Sequence, residues 1–119
     1  MIDMKLRTKR FAISCAFLCE KFPISRAYNA YVNQLIRCSS SVGVNYRASQ
    51  RAKSTADFIN KLKIVEEETD ESLFFMELLL EVNKDLSLND EIKNLMNEGN
   101  EILSIIVASL KTARNNQIK

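Results

Sequence analysis

The stretch LIRCSSSVGVNYRASQRAKSTADFI, residues 35–59, decides the fold. It places small side chains, such as Cys38, Ser39 and Gly43, at positions where a soluble helix usually carries bulky apolar ones. Steps of three and four residues put them on one stripe that begins with larger side chains such as Leu35. Gly43 within a helix costs roughly 1 kcal/mol relative to Ala, which indicates a packing reason for it. We therefore expect a helix whose middle admits a close neighbouring backbone.

Three other segments show the same helical spacing. Apolar side chains recur every three or four positions from Phe11 to Phe22, from Phe58 to Leu80 and from Ile92 to Leu110. Pro23 should end the first helix, and Ser54 to Asp57 resembles a capping box between the second and third. The pattern predicts one domain, 1–119, with helices at about 4–22, 25–52, 55–85 and 89–114. Because the connections are short, we expect an all-α, antiparallel up-down-up-down four-helix bundle.

Composition limits the chemistry. One Pro and two Gly in 119 residues are too few for the turns of a β-sandwich or barrel. The chain has no His, so the usual general base and imidazole metal ligand are missing. No stretch approaches 18 uncharged apolar residues and no signal-like segment follows the charged N-terminus. We therefore expect a soluble cytoplasmic protein.

The three cysteines, Cys15, Cys19 and Cys38, are odd in number and lack CxxC spacing. The sequence favours reduced, buried thiols that act as small apolar side chains. A redox or metal role is the alternative.

Neither a metal site nor a nucleophile is indicated. Glu68 with Glu71, and Glu77 with Glu81, are helical neighbours, but carboxylate di-iron sites in bundles also need Glu-x-x-His motifs. The serines 39–41 have no candidate base to activate them. We therefore predict no catalytic residue, no metal and no cofactor, and hence a protein that is not an enzyme.

Charge is distributed unevenly along the chain. Residues 1–63 contain 12 Lys/Arg against 3 Asp/Glu, whereas residues 64–119 contain 5 against 12. Two interpretations remain open. A basic helix pair could lie against an acidic pair, within a subunit or between subunits. Alternatively, the basic half could present a surface to phosphate backbones.

For the second interpretation, six basic residues are candidate nucleic-acid contacts: Arg10, Arg47, Arg51, Lys53, Lys61 and Lys63. The chain has no zinc finger, no aromatic ribonucleoprotein signature and no short helix-turn-helix pattern. Any binding to RNA or DNA would thus be electrostatic, weakly sequence-specific and steeply salt-dependent.

Assembly is a further hypothesis. The third helix is apolar over more than one stripe, which is typical of a helix that also buries a face against another subunit. Five polar residues are candidates for a network that sets the register of helices or subunits: Asn45, Arg47, Asp57, Glu68 and Glu71.

The residues 31–79, YVNQLIRCSSSVGVNYRASQRAKSTADFINKLKIVEEETDESLFFMELL, resemble the core of a bacterial four-helix-bundle family. Its first members were noted as proteins encoded in intervening sequences of 23S rRNA genes. The similarity rests on Gln34, Leu35 and Arg37 in the second helix, on DFI at 57–59, and on the acidic run followed by FFMELL at 74–79. Ala48 or Ser49 departs from the family pattern where an acid is frequent, and Phe75 departs where Trp is frequent.

The resemblance implies a fold and a set of partners. It implies an antiparallel four-helix bundle that assembles into a homopentamer, related to accessory proteins of diversity-generating reverse transcriptases. It also implies an alternative function, namely a protein-interaction scaffold or accessory subunit, for example of a reverse transcriptase, without direct nucleic-acid binding. The family's "ribosomal" label describes where its genes were noticed and is not support for a ribosomal component.

Overall fold

The protein, described by a computed structural model over residues 3–118, consists of four long helices. The helices are α1 (Met4–Cys19), α2 (Arg26–Ser49), α3 (Thr55–Val82) and α4 (Asn89–Ile118), with a short 3₁₀ turn at Leu86–Leu88 before α4. α1 packs against α2, α2 against α3, α3 against α4, and α4 against α1. This order of neighbours in a body 52 × 22 × 21 Å confirms the predicted all-α four-helix bundle.

The core follows the predicted stripes. Each helix contributes fully buried side chains at three- and four-residue steps, which places them on the face that meets its neighbours. The largest of them are Phe11, Leu18, Leu35, Val42, Leu62, Val65, Met76, Leu79, Ile92, Ile102, Ile106 and Leu110. Their burial provides the main stabilisation, at about 25 cal/mol per Å² of apolar surface removed from water.

Two helices end earlier than the predicted 22 and 52. After Cys19, the N–H groups of Lys21 and Phe22 donate to the carbonyls three residues earlier, so the chain tightens before Pro23. After Ser49, residues 51 and 52 make the same i−3 hydrogen bonds. The periodic pattern continued through these turns because their side chains still point to the core side, as buried Phe22 does.

The third helix also ends before the predicted residue 85, and the fourth continues past 114. Asn83 adopts an extended backbone, and its side chain accepts from the Asp85 N–H and donates to the Asp85 carbonyl and to Asn89. These bonds stop α3 at Val82. α4 reaches Ile118, beyond the predicted end at 114, because residues 115–118 contain no Gly or Pro that would break the helix.

The α1 backbone lies beside Gly43 as predicted, but the contact leaves room for a Cβ, so the expected packing reason for a glycine is not found. A Cβ built on Gly43 would lie 3.6 Å from the Thr8 carbonyl oxygen of α1, an ordinary van der Waals contact. Gly99 on α4 is tighter, since a Cβ there would lie 2.8 Å from Leu73 Cδ2 and 3.5 Å from Phe11 Cε1. The two glycines thus mark different situations: α1 approaches α2 at the first, and three helices converge at the second.

The wide apolar surface of α3 is mostly covered inside the subunit. Ile59 and Leu79 are buried, and Ile64, Phe75 and Leu78 are half-buried. Phe74, at 52 % exposure, and Val82 at the end of the helix are the exceptions. Exposed apolar side chains occur instead on α1 and α2, as Ile13, Phe17, Ile36 and Val44. The apolar surface predicted on the third helix is therefore reduced to Phe74 and the terminal Val82.

Candidate nucleic-acid interface

Charge is segregated between the two ends of the bundle as well as between the two halves of the sequence. The start of α1, the end of α2, the start of α3 and the end of α4 share one end, because neighbouring helices are antiparallel. Segments 3–11, 43–64 and 102–118 contain eleven Lys/Arg against two Asp/Glu. Segments 12–42 and 65–101 contain five against thirteen. The fold therefore concentrates positive charge at the end that carries the α2–α3 connection.

A cleft of about 840 Å³ opens at this connection, and we call it the basic cleft. It is lined by Val44, Arg47, Ala48, Arg51, Lys53, Ser54, Asp57 and Lys61. Arg47 comes from the last turn of α2, Arg51 and Lys53 from the connection, and Lys61 from the second turn of α3. The structure thus brings together four of the six predicted nucleic-acid contacts, three of them exposed and Lys61 half-buried.

The cations of the basic cleft have no carboxylate partner in the part of the chain that is described. Across residues 3–118, salt bridges within 4.0 Å use only Arg7, Lys21 and Arg37 among the basic side chains. The single acid in the cleft, Asp57, is engaged by the backbone: its carboxylate accepts from the Lys53 N–H at 3.2 Å. The positive charge of the basic cleft is therefore available to an anion from outside.

The capping box predicted at residues 54–57 holds the α2–α3 connection, and with it the shape of the basic cleft. The Ser54 hydroxyl accepts from the Asp57 N–H at 3.1 Å, which satisfies an N–H that the first turn of α3 would otherwise leave unpaired. Together with the bond from Lys53 to Asp57, it closes the connection into a tight loop. This loop holds Lys53 between the last turn of α2 and the start of α3.

Two predicted contacts lie outside the cleft. Lys63 is exposed on the outer side of α3, and Arg10 is exposed on α1. Lys9, its neighbour, instead shares with Arg47 a smaller groove of about 300 Å³ between α1 and α2. Arg7 is also withdrawn from the basic end: its guanidinium donates to Glu98 at 2.7 and 2.8 Å and to Glu101 at 2.6 Å.

The Arg7 cluster was not predicted. The hydrogen bonds from Arg7 hold the pKa of Glu98 below its usual range. The only sequence signal was the i, i+3 spacing of Glu98 and Glu101 on one face of the last helix. That spacing does not identify a partner on α1, which depends on how the helices are offset along the bundle.

The five residues proposed as a register network do not form one within the subunit. Among residues 3–118, Asn45 donates only to its own helix, to the Ser41 carbonyl and hydroxyl, both at 2.9 Å. Asp57 belongs to the cap, and Arg47 lines the basic cleft. These three residues of the predicted network therefore make separate local contacts and do not bond to one another.

Glu68 and Glu71, the remaining members, bind an arginine of α2. Arg37 Nη1 lies 3.3 Å from Glu68 and Nη2 lies 2.9 Å from Glu71, while Nε donates to Gln34 at 3.0 Å. Burial raises the pKa of Glu68, and the charge of Glu71 raises it further against the effect of Arg37. These contacts fix α2 against α3, so Arg37 is a structural residue and not part of the free basic surface.

Burial suppresses the nucleophilic reactivity of the three thiols. Cys15, Cys19 and Cys38 are all buried and unpaired, as expected for small apolar side chains. Burial raises the pKa of Cys15 and Cys19 to about 12 and raises that of Cys38 as well. The nucleophilic thiolate is therefore a minor form at neutral pH.

Two kinds of feature are absent from the part of the chain that the structure describes. Within 3–118, no group of three or more His, Cys, Asp or Glu side chains is arranged to hold a metal ion. No helix in the same range is long and apolar enough to cross a membrane.

Comparisons with known proteins agree on one family. The model for "23S rRNA-intervening sequence protein" matches residues 2–108. A crystal structure of a protein of unknown function from Bacteroides thetaiotaomicron, described as a member of the S23 ribosomal protein family, has a TM-score of 0.75 and 25 % identity. The match covers 92 % of this chain and 99 % of that one. No curated protein matches the chain.

Proposed function

The chain belongs to the 23S rRNA-intervening sequence protein family, and from this premise we propose that it is a non-enzymatic, cytoplasmic homo-oligomer that binds nucleic-acid backbones through its basic cleft. The observation that carries the proposal is the set of four cations, Arg47, Arg51, Lys53 and Lys61, in one 840 Å³ cleft. No carboxylate within residues 3–118 pairs with them.

Electrostatics explains how such a cleft would act. Arg47 and Arg51 present planar guanidinium groups that can donate two hydrogen bonds to one phosphate, whereas Lys53 and Lys61 act as point charges. The lining has no aromatic side chain on which a base could stack. Binding would therefore follow the sugar-phosphate backbone and discriminate poorly between sequences.

A salt titration tests this function. Four phosphate contacts per subunit predict a slope of log K against log salt of about −3.6 on duplex DNA, and about −2.8 on single strands. The affinity for a short labelled duplex, measured by fluorescence anisotropy, should thus fall about 150-fold between about 50 and 200 mM salt.

Matched double variants assign the binding to the cleft. Arg51→Ala with Lys53→Ala should leave the helical signal unchanged and reduce the slope by about 2, because two phosphate contacts are removed. The control is Arg26→Ala with Lys84→Ala, two exposed cations at the other end of the bundle. Absence of binding by the wild type at about 50 mM salt would refute the function. Equal loss in both double variants would refute the assignment to the cleft.

The homo-oligomer is proposed on two grounds. One is the set of exposed apolar side chains on α1 and α2, and the other is the family resemblance, from which alone the number of five subunits comes. Light scattering that gives the mass of a monomer, 13.6 kDa, at micromolar concentration would refute assembly.

The same apolar side chains favour a second function, that of a protein-interaction scaffold or accessory subunit. A purified partner, for example a reverse transcriptase, should then bind after nuclease treatment and should bind the Arg51→Ala, Lys53→Ala variant equally well. Loss of the complex on nuclease treatment would favour the nucleic-acid function instead.

A further inference from the structure

The groove between α1 and α2 is an apolar surface that no part of the described chain covers. It is lined by Lys9, Ala12, Ile13, Ser40, Gly43, Val44 and Arg47 and has a volume of about 300 Å³. Val44 is 67 % exposed and Ile13 is 42 % exposed on its two walls. Gly43 on the floor has no side chain, and Ala12 and Ser40 are small, so the groove is open enough to admit one large side chain.

The rim of this groove is positively charged. Lys9 from α1 and Arg47 from α2 both line it, and both are exposed. Neither side chain takes part in a salt bridge among residues 3–118. A side chain that enters the groove would therefore be favoured if acidic residues flank it.

The outer side of α3 has the complementary composition. Glu67, Asp70, Phe74, Glu77 and Glu81 follow one another at steps of 3, 4, 3 and 4, so they form a single row, and all five are exposed. We call this row the acidic ridge. Phe74 is its only apolar member and is 52 % exposed.

Phe74 is also supported by two aromatic side chains that lie between it and the core. Its ring packs edge-on against Phe75, with 5.6 Å between centroids, and Phe75 lies 6.5 Å from Tyr31 of α2. Phe75 and Tyr31 are both half-buried against the core. An aromatic side chain supported in this way loses little conformational freedom when a partner covers it.

We propose that a second copy of the chain fills the groove with Phe74 of its acidic ridge. Asp70 and Glu77, which flank Phe74 by one helical turn, then face the rim of the groove, where Lys9 of the receiving subunit is the pairing cation and Arg47 stays open to the basic cleft, which it also lines. This inference rests on the proposed homo-oligomer and deepens it by naming the two surfaces. The groove and the ridge are different surfaces, so the contact is head-to-tail, and each subunit contacts two others.

Two single variants separate the surfaces. Val44→Glu puts a carboxylate into the groove, and Phe74→Glu removes the inserted ring; both positions are exposed, so the fold should be retained. Each variant alone should have the mass of a monomer in light scattering, with an unchanged helical circular dichroism signal. Ile24→Glu and Leu86→Glu are the controls, because these residues are 90 % and 76 % exposed outside both surfaces, and they should assemble like the wild type.

Mixing the two variants gives the decisive result. The Val44→Glu chain keeps its ridge and the Phe74→Glu chain keeps its groove, so one intact contact can form between them. The second contact would bring two glutamates together, which prevents growth. An equimolar mixture should therefore give a 1:1 dimer of 27.2 kDa, twice the 13.6 kDa chain mass, and nothing larger.

The outcomes separate this inference from the proposed function. A monomeric wild type would overturn both the homo-oligomer and the contact. A wild-type oligomer that persists unchanged in Val44→Glu or Phe74→Glu would overturn the contact alone. A mixture that stays monomeric, while each single variant has lost assembly, would overturn the head-to-tail pairing of these two surfaces.

Discussion

Replacing each of the two glycines by alanine should have opposite effects on stability. In both cases alanine removes the helix-propensity penalty of glycine, a gain of about 0.5–1 kcal/mol. At Gly43 the new Cβ would lie 3.6 Å from the Thr8 carbonyl oxygen, which needs no rearrangement. In a chain kept monomeric by Phe74→Glu, so that the groove above Gly43 is empty, Gly43→Ala should therefore raise the free energy of unfolding by about 0.5–1 kcal/mol.

At Gly99 the same gain is opposed by overpacking. The new Cβ would lie 2.8 Å from Leu73 Cδ2, so the Leu73 side chain must move within a packed core. Such insertions cost about 1–3 kcal/mol, which leaves Gly99→Ala about 0–2.5 kcal/mol less stable than the wild type. Since the propensity gain cancels between the variants, their difference of about 1–3 kcal/mol measures the overpacking alone.

Urea denaturation followed by circular dichroism measures both values. The experiment should be repeated at roughly tenfold lower protein concentration, because the apparent stability of an oligomer depends on concentration. If Gly99→Ala were as stable as Gly43→Ala, Leu73 would have room to move, and the reasoning about close packing at Gly99 would be wrong.

Three other predictions concern the cap, an ion pair and the thiols. Ser54→Ala should lower stability by about 1 kcal/mol in urea denaturation, because it leaves the Asp57 N–H without its acceptor, whereas Ser54→Asp should retain most of the stability. Because Arg7 lowers the pKa of Glu98, this pair stabilises the fold above the unfolded pKa of about 4.3 and ceases to do so as pH falls through the folded pKa. The stability deficit of Arg7→Gln should therefore be largest near neutral pH and shrink in acid; a deficit that does not change with pH would contradict this. The three buried thiols should react with a thiol reagent only at the rate of unfolding, and fast reaction in the native protein would show that they are accessible.

The helices themselves could be predicted because their evidence is local. Spacings of three and four residues, the proline after the first helix and the capping box all lie within a few positions of one another. The helix ends could not be placed in the same way, because tight i−3 turns at residues 20–22 and 50–52 preserve the apolar pattern while they end the helix.

Contacts between helices could not be predicted in the same way. The pairing of Arg7 with Glu98, and of Arg37 with Glu68, depends on how far each helix is shifted along its neighbour. No local sequence motif specifies this shift of one helix along another. For the same reason the basic cleft was only partly anticipated: residues close in sequence at the α2–α3 connection were grouped correctly, whereas Arg10 and Lys63 were placed with them on charge alone.

The separation of charge along the bundle makes the molecule an electric dipole with its axis along its 52 Å length. In the field of a polyanion such a rod experiences a torque, so it turns its basic end forward before any contact forms. This orientation acts on the rate of encounter, and it weakens once the screening length falls well below the length of the rod. Salt would therefore slow association, in addition to weakening the complex once formed.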